Sequence, residues 1–478
     1  MSAAPLASPV PFFVREPERD FSIGAERMAD VIVCGGGPAG VSAALASART
    51  GAQTVLLEAH GCLGGIWTSG LLGWVIDGAD KPGIMREIIA ALDRRGARRL
   101  RVEGGRSFAC DVEQMKLLLE EMVLAAGIRV QLHTRVVAAV RDARASGPQV
   151  TDAQAQAPGR VAAILTESKS GRQAWGARCF VDATGDGDLA AQAGCGFDFG
   201  RPGSAGETQP LSLVALVTGV RMGEIGAFVG GGLAKPKERL LAEFRRAGIV
   251  PSYAAPTLFP MSDDLFALMA NHEYGVSGLD AAQVTGATLR ARAEVHRLVA
   301  ALRSLGGAWS GLRIVATAEQ IGVREGRRIR ALYTVSRDDL VNGARHEDAV
   351  CRATFGIDVH STTEAARGRP GDPVNATRTQ PYDIPLRALI AADVDNLLLA
   401  GRCIGGDFEA HSSYRVTGNA VALGQGAGVA TALAARSGQS PRTLAWADVR
   451  AALDALDRRI PVPAAILTEV AAWLQLQT

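Results

Sequence analysis

Between two short apolar runs, Asp30-Val-Ile-Val-Cys34 and Thr54-Val-Leu-Leu-Glu58, the chain carries Gly35-Gly-Gly37-Pro-Ala-Gly40. A glycine turn at the mouth of a helix lets bare backbone amides meet a diphosphate, where free N–H groups and the helix dipole favour an anion. Gly35 permits the tight strand-to-helix turn, Gly37 lets the backbone approach the phosphates, and Gly40 lets the helix pack on the sheet. Glu58, 18 residues beyond Gly40, stands where a carboxylate accepts both hydroxyl hydrogens of an adenosine ribose. A glycine-rich turn with no ligand is the alternative. The strand before it, the helix after it and the acid at this distance favour the dinucleotide.

That motif alone does not separate NAD from FAD. Gly61-Cys-Leu-Gly64-Gly65 follows directly on Glu58. Val181-Asp-Ala-Thr184-Gly185-Asp186 ends a second strand in a Gly/Asp turn, and Asn396–Gly401-Arg402 carries a third strand into a bend. Three separate approaches to one extended ligand suit FAD.

These motifs need elements to hold them. Ala39–Thr50 reads as an Ala-rich helix closed by Gly51, and with the flanking strands it makes a right-handed βαβ opening. Residues 111–126 carry apolar side chains at helical spacing, ahead of strands at Arg129–Leu132 with Val136–Val140, Val161–Thr166 and Ala174–Val181. The Ala/Gln/Gly-rich insert Arg141–Arg160 reads as a loop. From 201 the pattern is mixed, with helices expected near 235–247 and 280–305 and strands near 211–220 and 312–335. The dinucleotide pattern resumes at Asn396 and runs into a helix, Thr417–Arg436. The expected fold is α/β: a Rossmann-like FAD-binding domain interrupted by a mixed α+β substrate domain. Its expected parts are an extension (1–27), the first nucleotide part (28–200), the substrate domain (201–375), the second nucleotide part (376–440) and a helical segment (441–478). The helix and β-meander fall at 111–180, with the loop at 141–160.

Bulk properties exclude little but do so cleanly. The 478 residues are 47% hydrophobic and 21% charged, with a formal net charge of +2. Such a balance suits globular domains and gives no electrostatic reason to expect nucleic acid or an anionic membrane. Seven scattered cysteines without Cys-x-x-Cys spacing argue against a zinc site, an iron–sulfur cluster or a disulfide framework, so no metal is expected. The opening, broken by Pro5, Pro9 and Pro11, lacks a basic leader, and a cytoplasmic location follows as the default.

On these motifs the chain resembles the FAD-dependent oxidoreductase family of the glutathione-reductase-like flavoproteins, whose nucleotide domain is shared with the flavoprotein component of heterodisulfide reductase and with thiazole-biosynthesis flavoproteins. The resemblance extends through Arg15-Glu-Pro, Ile321–Arg328, Ile357–His360, Tyr382–Pro385, Glu409–Arg415 and Ala422–Gln425. It implies that Gly35, Gly37, Pro38, Ala39, Gly40, Glu58 and Ala59 hold the ADP half of FAD. Gly64 and Gly65 would line the ribityl chain, and Thr184, Gly185 and Asp186 the adenosine side. Gly401 and Arg402 would form the approach loop. Thr417-Gly418-Asn419 would aim a helix N-terminus at the flavin N1–C2=O edge, where reduced flavin carries negative charge. Trp67 and Gly426 depart from the usual pattern, and Trp67 is expected to narrow the ribityl or substrate channel.

His411 and Arg415 precede that helix in what reads as a loop. His411 has the chemistry of a base for a substrate proton, and Arg415 that of a carboxylate or phosphate clamp. The structural alternatives are a His serving loop carbonyls and an Arg paired with Glu409. Asp358 and His360, two apart on an expected strand, form an acid–histidine pair, buried or catalytic. Arg324, Glu325, Arg327 and Arg328 read as a cross-strand ion-pair ladder. Cys62 and Cys403 lie near the cofactor path, but Trp67 stands where a disulfide reductase would need its second cysteine. The expected activity is hydride transfer between a small polar substrate and flavin N5. With one glycine fingerprint there is no dedicated NAD(P)H domain, so a separate acceptor (dioxygen, a quinone or a carrier) is expected, and a homo-oligomer is allowed. The rival readings are a flavoprotein that passes electrons within a complex and an NAD-linked dehydrogenase.

Overall fold

A computed structural model describes residues 23–100, 106–142, 158–230, 234–363, 365 and 372–458. Arg15-Glu-Pro, most of the N-terminal extension, residues 143–157 of the insert and the chain beyond 458 lie outside them. Five strands form a parallel core in the order Arg129–Gln131, Thr54–Leu57, Met28–Cys34, Gly171–Asp182, Leu397–Leu399. The fourth is long enough to serve twice. Its second half lies between Met28–Cys34 and Leu397–Leu399, while its first half pairs antiparallel with Val161–Ser168, which in turn pairs with Arg135–Arg141. Cys34 is opposite both Leu57 and Asp182, and Asp182 is opposite Leu399. Four strands therefore end at one edge of the sheet, where ligands of open α/β sheets bind.

The strands are continuous apolar runs because both faces are covered. Helices Pro38–Arg49 and Thr417–Ser437 lie against each other beside the sheet. Glycine makes that approach possible: a Cβ on Gly424 or Gly428 would fall 2.1 Å from the carbonyl oxygen of Ala39 or 2.2 Å from that of Ala43. Gly426, the departure from relatives, faces the Val350 side chain at 2.8 Å from such a Cβ, which accounts for its small size.

A second, antiparallel sheet runs in the order Thr257–Pro260, Leu265–Met269, Ala215–Thr218, Arg313–Thr317. Alternate residues enter two apolar clusters, Leu216 and Ala267 in one and Val217 and Phe266 in the other. Helix Ala281–Ser304 closes it with a buried stripe at Ala287, Ala291, Val295, Leu298 and Leu302. Its N-cap Asp280 accepts hydrogen bonds from the Ala282 and Gln283 amides. Residues Ile329 to Val359, expected in the substrate part, contribute Val335, Leu340, Cys351 and Ile357 to the apolar core around the parallel sheet.

Two expectations change. The stretch 312–335 is not one strand region: Arg313–Thr317 and Arg328–Ile329 are separated by irregular backbone that crosses towards the cofactor sheet. The charges there consequently form no ladder. Arg328 pairs with Glu325 at 2.6 Å and Arg327 with Asp188 at 2.8 Å. Asp358 and His360 also lie on non-strand backbone, yet the pair forms, with Nε2 3.4 Å from Oδ2.

Candidate functional site

The first glycines divide the work. Gly35 has φ +100°, and a Cβ there would meet the Ala183 carbonyl at 2.4 Å. Gly40 packs on the Gly35 carbonyl, 1.7 Å from where its Cβ would be. Both are glycine because protein backbone crosses there. Gly37 differs: nothing lies within 4 Å of its Cβ position, so its open side faces a cleft that it lines with Gly35, Pro38 and Ala39. It also N-caps the helix without any side-chain cap, leaving the first-turn amides for a ligand.

Glu58 enters the same cleft from the next strand, with Ala59 beside it. Its two oxygens accept the Gly36 amide at 2.5 Å and the His60 amide at 2.7 Å, which fixes the carboxylate with lone pairs to spare. Gly64, at φ +106°, donates its amide to the Gly36 carbonyl at 2.8 Å. That bond brings Gly65 against Gly37 and into the lining, while Gly64 itself faces Thr68.

The third and fourth strand ends complete this side. Asp182 is fully buried and accepts from the Thr184 amide, the Thr184 hydroxyl and the Ala190 amide, at 2.7–3.0 Å. Burial lifts its carboxyl to about 6 despite those bonds. They shape the turn that sets Thr184, Gly185 and Asp186 along the cleft. Arg402 Nη2 donates to Asp186 at 2.5 Å, tying this turn to Gly401-Arg402 after the last strand.

The far wall is Gln320, Gly322, Val323, Arg415, Thr417 and Ala420, with Ile66 between. Gln320 to Val323 carry no dinucleotide signature, and nothing in the sequence assigns them to a cofactor. Gln320 Oε1, Thr417 Oγ1 and Arg402 Nε are buried around this cleft without a hydrogen-bond partner among the described residues. Orphaned polar atoms, uncapped helix amides and an open glycine suit an extended polar ligand with a diphosphate at its centre. FAD fits such a lining.

Gly418 and Asn419 stand behind the cleft. A Cβ on Gly418 would meet the Asp77 carbonyl at 2.2 Å, and Asn419 Oδ1 lies 3.6 Å from Cys351 Sγ. Trp67 is fully buried and absent from the lining, so it does not narrow the channel; Ile66 is the residue that faces it.

His411 is not in a loop. It lies in helix Phe408–Tyr414, capped by Asp407, wholly buried and edge-on to Tyr414. Both ring nitrogens lack a described partner. Burial, then the charges of Arg415, Arg328 and Arg402, hold its imidazole neutral. Arg415 does not pair with Glu409, which binds Arg337. Its guanidinium instead donates to the carbonyls of Ser412, Arg324 and Asp358, at 2.9–3.3 Å. That is a brace, with the fork mostly committed to backbone.

His360 heads a cluster that motif reading missed, because its members come from distant segments. Ring centroids of Tyr253 and His272 are 4.1 Å apart, and those of His272 and His360 are 5.0 Å apart. Burial and the Arg324 charge press His360 down to about 4 against the pull of Asp358. Asp358 stays ionised: His360, Arg415 and Arg324 outweigh the burial that opposes its charge. Among the described residues no cluster of His, Cys, Asp and Glu could hold a metal, and no helix is long and apolar enough to cross a membrane. All seven cysteines are free, and burial pushes the Cys403 thiol well up, against a thiolate role.

The profile of a family described as FAD dependent oxidoreductase matches residues 30–453. A geranylgeranyl bacteriochlorophyll reductase-like protein from Thermoplasma acidophilum is 12% identical, over 93% of this chain and 96% of that one, with a TM-score of 0.44. For p-nitrophenol 4-monooxygenase from Pseudomonas putida DLL-E4 the figures are 13%, 91%, 90% and 0.42. For THI4 of Thermovibrio ammonificans they are 20%, 36%, 67% and 0.28. A search of curated proteins returned no match.

Proposed function

The chain belongs to the FAD-dependent oxidoreductase family, so it is a flavoenzyme whose cofactor is FAD, and from that premise we propose that it moves a hydride between a small polar organic molecule and flavin N5. One observation carries the reading. A single cleft joins the glycine turn and Glu58 at one end, both Gly-containing strand ends in the middle, and Arg415 and the Thr417 helix start at the other. We assign the ADP half of FAD to Gly35, Gly37, Pro38, Ala39, Glu58 and Ala59, with Gly40 as the packing glycine behind them. Gly65, Thr184, Gly185, Asp186, Gly401 and Arg402 would follow the middle of the ligand, and Gly64 would fix the turn. Thr417 would meet the ring from the start of its helix, with Gly418, whose amide is held by the Ile76 carbonyl, and Asn419 setting that helix from behind. When bound, flavin supplies the two-electron acceptor.

The acid–base work falls to the protein. His360, at 16% side-chain exposure and neutral at pH 7, is the more accessible of the two proposed histidines. His411 is sealed in the interior, and Arg415 braces the backbone between them. The sheet order, with a β-meander leaving one long central strand, supports a glutathione-reductase type of nucleotide domain. The substrate domain is then best drawn around the second sheet, from about Leu211 to Val323. With one glycine fingerprint, we propose that reoxidation falls to dioxygen, a quinone or a carrier. The test is an anaerobic screen of hydroxylated, aminated and unsaturated acids against the purified yellow protein. Bleaching of the flavin by one class identifies substrate and direction; a preparation that stays oxidised with every class, yet passes electrons to a copurifying protein, refutes hydride transfer.

A further inference from the structure

Arg324 directly follows the Gly322-Val323 wall of the cleft, and among the described residues it makes no close ion pair. Its Nη1 donates to the Pro210 carbonyl at 2.6 Å and to Ser212 Oγ at 2.8 Å, but the partner of Nη2 is a thioether, Met269 Sδ at 3.8 Å. Among the described residues no carboxylate lies within ion-pair distance of it. The next residue, Glu325, is committed to Arg328, both of them almost completely buried. Arg415 comes alongside, its Nη1 on the Arg324 carbonyl, and its nearest carboxylate, Asp358, is 3.9 Å away. Two guanidinium groups thus share one loosely held carboxylate. Like charges in a partly desolvated place repel, and an arriving anion relieves that repulsion.

Tyr253, His272 and His360 set flat rings around the Arg324 corner, with Tyr253–His360 centroids 5.9 Å apart. The Tyr274 hydroxyl gives its one hydrogen to the Ser252 carbonyl at 3.2 Å, so it accepts from His272 Nδ1, also at 3.2 Å. That assigns the neutral tautomer: Nδ1 carries the proton and Nε2 offers a lone pair. Nε2 is buried with no described partner.

We propose that Arg324 anchors a carboxylate of the substrate, with His272 Nε2 accepting an O–H or N–H from the same molecule. Resting on the hydride-transfer reading, this narrows the substrate to a carboxylic acid bearing a hydroxyl or amine near the carboxylate. Arg415, whose donors are spent on carbonyls, contributes field rather than a fork.

The FAD-loaded protein is titrated at fixed ionic strength with acetate, glycolate and benzoate and with their uncharged amides, following flavin absorption and melting temperature. Carboxylates are expected to bind at least ten-fold more tightly than the amides, glycolate more tightly than acetate. Arg324→Met should remove the carboxylate preference while keeping a full complement of FAD. Should that variant lose FAD, Arg324→Lys replaces it, with about ten-fold weaker binding expected because the charge stays and the fork is lost. His272→Phe should erase the glycolate advantage alone. Equal binding of acids and amides, no acid binding at all, or unchanged affinity in the Arg324 variant that retains FAD overturns the proposal. Carboxylate binding that persists while no compound bleaches the flavin counts against hydride transfer and leaves the anchor standing.

Discussion

At the scale of the residue, the most exacting position is Glu58. Both of its oxygens receive a backbone N–H, so Glu58→Gln must turn its amide NH2 onto one of those donors. The variant is expected to fold and to bind FAD roughly 5- to 150-fold less tightly, the equivalent of about 1–3 kcal/mol. Fluorescence titration of the apoprotein reads this directly, and an unchanged dissociation constant would remove Glu58 from the ribose. His411 invites a different substitution. Its ring is buried, makes no described hydrogen bond and packs edge-on to Tyr414, so His411→Phe keeps the packing and deletes only the nitrogens. Were His411 the base, anaerobic flavin reduction would slow by ~10²–10⁴-fold. The burial argues for the opposite outcome, a rate within a few-fold of the parent. Glycines and the acid were legible in sequence because their roles depend on local backbone geometry. Arg324, His272 and Tyr253 were not: their meaning comes from separate segments folding onto one corner, and chain-local spacing does not encode that.

At the scale of the element, the two helices that flank the cofactor edge act as one part. Their contact is made through glycine, and Gly424 sits over the Ala39 carbonyl at the start of the pyrophosphate-facing helix. Gly424→Ala would place a Cβ 2.1 Å from the Ala39 carbonyl oxygen, a clash that only separating the helices relieves. The expected cost is about 1–3 kcal/mol or more in stability, since backbone cannot swing aside as a side chain can. FAD affinity should fall with it, because the displaced helix carries the phosphate amides. Gly426→Ala meets only the Val350 side chain and should cost less on both counts. Chemical denaturation paired with FAD titration separates the two variants, and equal effects would refute the coupling. The Ala/Gly-rich helices and the long helix Ala281–Ser304 were readable because each runs long enough to show its period, and the parallel strands because they are short apolar runs bounded by glycine. The ribbon of Trp74–Val75, Arg98–Leu100 and Phe108–Cys110 was not. Strands of two or three residues have no period, and their pairing is set by what they pack on.

At the scale of the whole molecule, the return of the chain to the parallel sheet was visible because Leu397–Leu399, like Met28–Cys34, runs towards a glycine. That residues 329–359 pack into the core around the same sheet was not, since packing leaves no local signature. The same interior sets a pH limit on the protein. His272, His360 and His411 are all held neutral by burial, His360 at about 4 and the other two well below the usual imidazole value. An unfolded histidine takes its proton near pH 6.5, so acid favours the unfolded chain: stability is lost as pH falls below ~6.5, by about 2 kcal/mol at pH 5 for His360. Asp182 works the other way. Its folded pKa of about 6 exceeds the unfolded value, so its contribution is present at low pH and is lost as pH rises through 6. Between pH 7 and 5 it returns about 1.4 kcal/mol. Asp358, with a depressed pKa, loses its contribution only below about 4 and stays out of this window. Three histidines oppose one aspartate, so the loss with acid is expected to dominate. Urea unfolding of the FAD-saturated protein should therefore show a midpoint that falls steeply between pH 6.5 and 5. His411→Phe should flatten that fall. An identical pH profile in the variant would mean that His411 is already solvated or charged in the folded protein, and the sealed interior assigned to it would be wrong.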